Sequence, residues 1–174
     1  MSREVFTVKV DSFGVSTPYS TFTAYLPIPL RNVVKAELLM ASVHQQYSNA
    51  LCHVYVEELV SNFLTRAAPA YTVGLSSNVS NVGVATQILN KGPIERAFCT
   101  IPTSDAAIGS TDKRAVWTSG NDFPTDVEYI NPIRQLKTLT FTFYDGRTGD
   151  VQTMDQTSYF IFRFECAKDD LRLY

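Results

Sequence analysis

Leu139, Phe141 and Phe143 alternate with Thr138, Thr140 and Thr142, a period of two with β-favouring residues on both faces, which predicts a strand with one apolar side. Downstream, Phe160, Phe162, Phe164 and Cys166 alternate with Tyr159, Ile161, Arg163 and Glu165 and predict a second strand of the same kind. Between the two lies Asp145-Gly146-Arg147-Thr148-Gly149-Asp150, a run of residues that tolerate tight turns and positive φ. The expectation is an antiparallel hairpin closed by a long loop.

Near the other end, Phe6, Val8 and Val10 alternate with Val5, Thr7 and Lys9. A Ser, Thr, Pro and Tyr-rich stretch then runs to Leu26-Pro27-Ile28-Pro29. A short strand followed by an extended, proline-guarded segment fits this pattern, and the prolines exclude a helix. From 30 to 43 the periodicity is ambiguous. Leu30, Val33, Val34, Leu38 and Ala41 make a helical stripe, whereas Ala36, Leu38, Met40 and Ser42 against Lys35, Glu37 and Leu39 make a strand. Flanking β-branched residues favour the strand.

Leu51 to Val60 alternates in the same way, with a possible helical turn over Glu57 to Leu64. Thr65 to Lys91 is rich in Ala, Ser, Asn, Val and Gly without a clean period, and predicts short strands and a long surface excursion. Ile94 to Ile101 alternates until Pro102 stops it. A polar loop from Thr103 to Lys113 leads to strands near Arg114 to Thr118 and Asp126 to Ile130. Seven to nine short strands separated by turn signals imply an all-β sandwich or barrel.

Composition narrows the class of protein. A chain of 174 residues with 45% hydrophobic side chains suits one core, so a single domain over residues 1–174 is expected, with an extended N-terminal segment and a short C-terminal tail. Charged residues make up 18% and aromatics 12%. The charged share is below the usual ~25%, which suggests that part of the outside is buried against partners. A net charge of −2 offers no basic excess for phosphates, so direct nucleic-acid binding is not expected. No apolar run approaches the ~18 residues of a membrane span, and Met1-Ser2-Arg3-Glu4 leads into alternation and not into a signal core, so the chain reads as soluble and unsecreted. Cys52, Cys99 and Cys166 are odd in number, widely spaced and set in apolar stretches. They read as reduced, buried thiols, without a disulfide framework or a paired-cysteine zinc site.

Catalytic chemistry is thinly represented. The two histidines, His44 and His53, lack a flanking motif and read as ordinary strand or loop residues. Glu57 and Glu58 are neighbours, which on a strand point to opposite faces and cannot act as one acid/base pair. The loop beginning at Asp145 superficially follows a calcium loop, but alternating acidic ligands are missing and Gln156 occupies the position of the bidentate glutamate. No glycine-rich phosphate motif occurs. Asn78-Val79-Ser80 is a formal sequon with no expected use in an unsecreted chain. No catalytic residue, metal or cofactor is expected. What remains is aromatic and apolar material near loops, the proline-rich segment and the terminus: Tyr19, Tyr25, Trp117, Phe123, Tyr129, Leu171, Leu173 and Tyr174. These are candidates either for lid-and-edge packing or for anchoring a subunit interface.

Several segments, taken in order, resemble a known group. They are Leu30 to Ser42, Val54-Tyr55-Val56-Glu57-Glu58-Leu59, Phe98-Cys99-Thr100-Ile101-Pro102, and Asn131-Pro132-Ile133-Arg134-Gln135-Leu136 continuing to Phe141 and Tyr144-Asp145-Gly146. Over roughly residues 30 to 165 the chain resembles the jelly-roll minor capsid or penton-like proteins of large algal and related nucleocytoplasmic DNA viruses. The resemblance implies a single jelly-roll antiparallel β-sandwich and makes residues 30 to 43 a strand. It also implies a structural, non-enzymatic role in a virion capsid assembled in the host cytoplasm. The implied partners are other capsid proteins, namely major capsid protein capsomers and minor capsid proteins, and further copies of the chain as a pentamer. Two other classes stay open on the residues alone. One is a carbohydrate- or ligand-binding β-sandwich using Trp117, Tyr129 and polar loops; the other, an enzyme of the cupin type, would need clustered metal ligands.

Overall fold

A computed structural model describes residues 3–44, 51–60, 96–102, 114–120, 125–146 and 150–168. They form seven strands: β1 (Arg3–Asp11), β2 (Thr21–His44), β3 (Leu51–Val56), β4 (Cys99–Pro102), β5 (Arg114–Thr118), β6 (Thr125–Asp145) and β7 (Tyr159–Ala167). A single 3-10 turn, Glu57–Leu59, follows β3. The protein is therefore all-β in its described parts, and every strand pairing is antiparallel. No helix among the described residues is long and apolar enough to cross a membrane.

The alternation in the sequence becomes the inside and outside of the sheet. On β7, Phe160, Phe162, Phe164 and Cys166 are buried, while Arg163 is exposed and Tyr159, Ile161 and Glu165 are partly so. On the last part of β6, Leu139, Phe141 and Phe143 are buried and the threonines between them face outward. The buried hydrophobic residues of all seven strands join one core cluster.

The strands lie in the order β1-β7-β2-β6-β3-β4, with β5 also bonded to β2. Two of them are unusually long, β2 with 24 residues and β6 with 21. The first part of β2 pairs with the last part of β6, Phe22 opposite Phe141, and β6 there carries β3 on its other edge. The last part of β2 pairs with β7, Ala41 opposite Phe160, and on its other edge meets the first part of β6 and then β5. Drawn straight, the chain from Phe22 to Ala41 spans roughly 60 Å. Yet the partners of those two residues, Phe141 and Phe160, have rings stacked 4.8 Å apart. The β2/β6 ribbon is thus folded over, and the sheet curls until its two halves face each other. Phe22, Phe141, Phe160, Phe162 and Phe164 form a continuous file of rings at centroid spacings of 4.7 to 6.2 Å across the interior.

The fold-over has a local cause. Register slips occur between Tyr25 and Leu30 and between Val33 and Lys35, and Asn32 takes φ = 52°. Irregularities of this kind bend a strand and let it pass from one sheet to another. Asn is among the few non-glycine residues that enter this left-handed region readily. Between the slips, β2 pairs with β6 alone, because its pairing with β7 starts only at Val33. Pro27 and Pro29 fall in the first slip and Pro132 in the second, where no β2–β6 partners are paired and a missing N–H deprives no neighbouring strand.

Three expectations are corrected. The segments around Asp126 to Ile130 and Thr138 to Phe143 are one strand, β6, running through Asn131-Pro132. The periodicity broke in the sequence because the buried parity changes between Leu136 and Leu139. The expected hairpin between that strand and β7 does not form. In its place β2 lies between them, since the last part of β6 already has β2 on one edge and β3 on the other. The chain does reverse after Asp145, but it makes only a bridge from Val151 to Tyr144 and another from Met154 to Tyr19 before crossing to β7. Finally, of the strand expected over Ile94 to Ile101, Arg96 to Phe98 stay outside β4 (Cys99–Pro102), and Ile94 and Glu95 lie outside the described residues. The excursion from Thr65 to Lys91 and the loop from Thr103 to Lys113 lie outside the described residues.

Candidate interaction surfaces

The residues singled out in the sequence separate into inside and outside. Tyr19 is buried, and its hydroxyl joins a compact network. It exchanges a hydrogen bond with Ser12 Oγ at 2.6 Å, donates within 2.9 Å of the Gln156 carbonyl and the Ser158 hydroxyl, and accepts from the Ser158 N–H at 3.0 Å. It fastens the segment after β1 to the segment before β7. Trp117, only 4% exposed, belongs to the core from β5, opposite Ala41. Tyr129 is half-buried and donates to the Leu59 carbonyl at 3.1 Å. Tyr25 is the outward member of the set, 80% exposed on β2. Phe123, Leu171, Leu173 and Tyr174 lie outside the described residues.

The titratable groups are engaged structurally. His44, buried at the end of β2, bonds through Nδ1 to the Asp155 carboxylate. His53 on β3 bonds through Nδ1 to the Thr100 hydroxyl at 2.8 Å. Glu58 accepts from the Thr138 hydroxyl at 2.9 Å, the Thr140 N–H at 2.6 Å and the Thr140 hydroxyl at 2.9 Å, so it clasps the 3-10 turn to β6. Asp145 donates its N–H to the Asp150 carbonyl at 2.8 Å, closing a turn. Burial pushes the Cys52 thiol up to about 12 and raises Cys99 further, which keeps both protonated and unreactive at neutral pH. Among the described residues no group of three His, Cys, Asp or Glu side chains is placed to hold a metal ion.

The outer faces of the two halves differ in chemistry. Over β1, β7 and the last part of β2, opposite charges interlock: Arg3 to Glu165 at 2.7 Å, Lys35 to Asp126 at 2.7 Å and Arg163 to Glu37 at 3.8 Å. The hydrogen bond from Arg3 holds the Glu165 carboxyl below its ordinary range, and the one to Asp126 holds the Lys35 ammonium above its own. Over the first part of β2 and the last part of β6 the face is hydroxyl-bearing, with the Glu58 carboxylate seated on Thr138 and Thr140. Thr21 meets Thr142 and Thr23 meets Thr140, each at 3.2 Å.

Where β2 leaves β7 to form the arch, a groove of about 440 Å³ opens between Glu4 and Phe6 of β1, the Ile28 to Asn32 stretch of β2 and the end of β7. Ile28 on its rim is 72% exposed, and Ile130 on the other strand of the arch is 76% exposed. Sequence reasoning missed both as surface residues. The available signal was the proline on either side of Ile28 and the Asn-Pro after Ile130, which mark backbone that pairs on one edge only. Comparison with models of known protein families and with curated proteins finds no match to this chain.

Proposed function

We propose that this protein is a single jelly roll and acts as a structural subunit of an icosahedral virus shell, as a minor capsid protein of penton or capsomer-associated type. The observation that carries the fold is the sharing of β2 and β6 between both halves. Counting each once per half, and taking β5 as the continuation of β6 along β2, one half reads β1, β7, β2, β6 and the other β2, β6, β3, β4. This arrangement of eight strand positions supports a reading as two Greek keys wound into a jelly roll. The capsid role rests on the sequence resemblance, because jelly rolls serve viral shells, lectins and cupins alike.

The engaged side chains favour the structural role over the other two. Trp117 is enclosed by the core and Tyr129 is tethered to Leu59, so neither presents a ring for stacking on a sugar. His44 and His53 have separate partners in separate places and do not converge as cupin ligands do. The exposed Tyr25, Ile28 and Ile130 give the arch apolar side chains suited to burial against neighbouring capsid proteins.

The test is to purify particles by density gradient from cells that make the native protein and to quantify the chain by mass spectrometry. A fixed ratio to the major shell protein through successive gradients supports the role. Recovery only outside particles, with glycan binding by the isolated chain, would replace it with the ligand-binding reading.

A further inference from the structure

We propose that β1 is a self-association site, through which two copies of the chain join edge to edge about a two-fold axis at Thr7. The strand ends the sheet order, and its nine residues match β7 from Arg3–Ala167 to Asp11–Tyr159 without a register slip. It contains no proline, glycine or bulge, three of the devices that blunt an edge, and the charges it does carry, Arg3, Glu4, Lys9 and Asp11, decide which pairing the edge accepts. Among the described residues no strand lies on its far side. Phe6 and Val8 are packed against the core but only partly buried, so the core is left incomplete along this edge. Val5, on the outer face, is 53% exposed.

The occupant follows from the order of charges along β1. A two-fold axis perpendicular to the sheet keeps each copy's outer face on the same side, so allowed registers differ by steps that preserve parity. Centred on Thr7, the pairing uses all nine residues. Arg3 then lies opposite the second copy's Asp11 at both ends, Val5 opposite Lys9, and on the inner face Phe6 opposite Val8. Opposite charges and aromatic with β-branched pairs are favourable cross-strand neighbours. Centring on Phe6 puts Arg3 opposite Lys9, two like charges, and centring on Val8 leaves Arg3 without a cross-strand partner. A second copy in the Thr7 register therefore suits this edge, and the pairing would extend the charge-interlocked face through both chains. The inference is independent of the capsid reading.

Sedimentation of the purified full chain over a range of concentrations, with charge-swapped variants, tests it. The expected result is a reversible monomer–dimer equilibrium that each of Arg3→Asp and Asp11→Arg weakens about tenfold, since each turns two attractions across the edge into two repulsions; Arg3→Asp also removes the bond to Glu165 within the chain, which Asp11→Arg leaves in place. Mixing the Arg3→Asp chain with the Asp11→Arg chain restores dimers, because every end pair is then opposite in charge. That recovery separates loss of pairing from loss of folding. A chain that stays monomeric at all concentrations overturns the proposal. So does a closed pentamer, or a dimer whose stability ignores both substitutions and their mixture.

Discussion

Gln152 is 7% exposed, and among the described residues neither its amide nitrogen nor its amide oxygen has a hydrogen-bond partner. A buried polar group without a partner costs about 1–3 kcal/mol, so Gln152→Leu is expected to raise stability by about 1–2 kcal/mol in urea denaturation. A fall in stability would mean that the amide is satisfied by a bound water. Gly146 shows the opposite constraint. A β-carbon there would lie 2.7 Å from the Leu51 carbonyl oxygen, whose carbonyl already accepts the Gly146 N–H at 2.9 Å. Gly146→Ala must push β3 away from the turn after β6, at a cost of about 1–3 kcal/mol, read as a lower midpoint in the same titration. For the thiols the sign follows from proton binding. Unfolded Cys52 loses its proton near 9.0, the ordinary value of a thiol, while the folded thiol, buried, holds it to about 12. Between those values the unfolded chain binds fewer protons, so stability falls as pH rises through that window. Cys52→Ala is expected to flatten the decline in urea midpoints measured from pH 8 to 11.

At the scale of elements, the alternating strands were the legible part. Phe160 to Cys166 and Leu139 to Phe143 bury the sides that their spacing marked, and the ambiguous run from 30 to 43 falls within β2. What the sequence concealed was continuity. A slip in register changes which parity is buried, so a long bent strand looks like several short ones in a hydropathy pattern. The same bend hid the exposure of Ile28 and drew attention to Trp117 and Tyr19, whose neighbours in space come from distant strands. Asn32 at the bend gives a direct test. Asn32→Gly keeps the left-handed conformation and is expected to cost less than Asn32→Val, which forces a β-branched residue into it at about 1–3 kcal/mol, measured by thermal unfolding. The Glu58 clasp is the second hinge point of an element. Glu58→Ala removes three acceptor contacts and is expected to cost about 1.5–3 kcal/mol, the range for hydrogen bonds to a charged group.

For the whole molecule, aromatic packing joins the two halves, and among the described strands no hydrogen-bonded pairing links β1 to β4 at the ends of the sheet. Phe141 touches Phe22 on its own side and Phe160 and Phe162 across the interior, so Phe141→Leu should weaken the contact between halves far more than any exposed ion pair could. The threonine face and the charged face are also properties of this scale, since each combines residues from strands far apart in the sequence.

The passage of β2 and β6 through both halves has a mechanical consequence. In a sandwich whose layers touch only through side chains, a sideways force makes one layer slide over the other. Here two covalent backbones are threaded through both layers, and a load applied to one is delivered to the other as tension along peptide bonds. Such a body resists shear without needing a larger core.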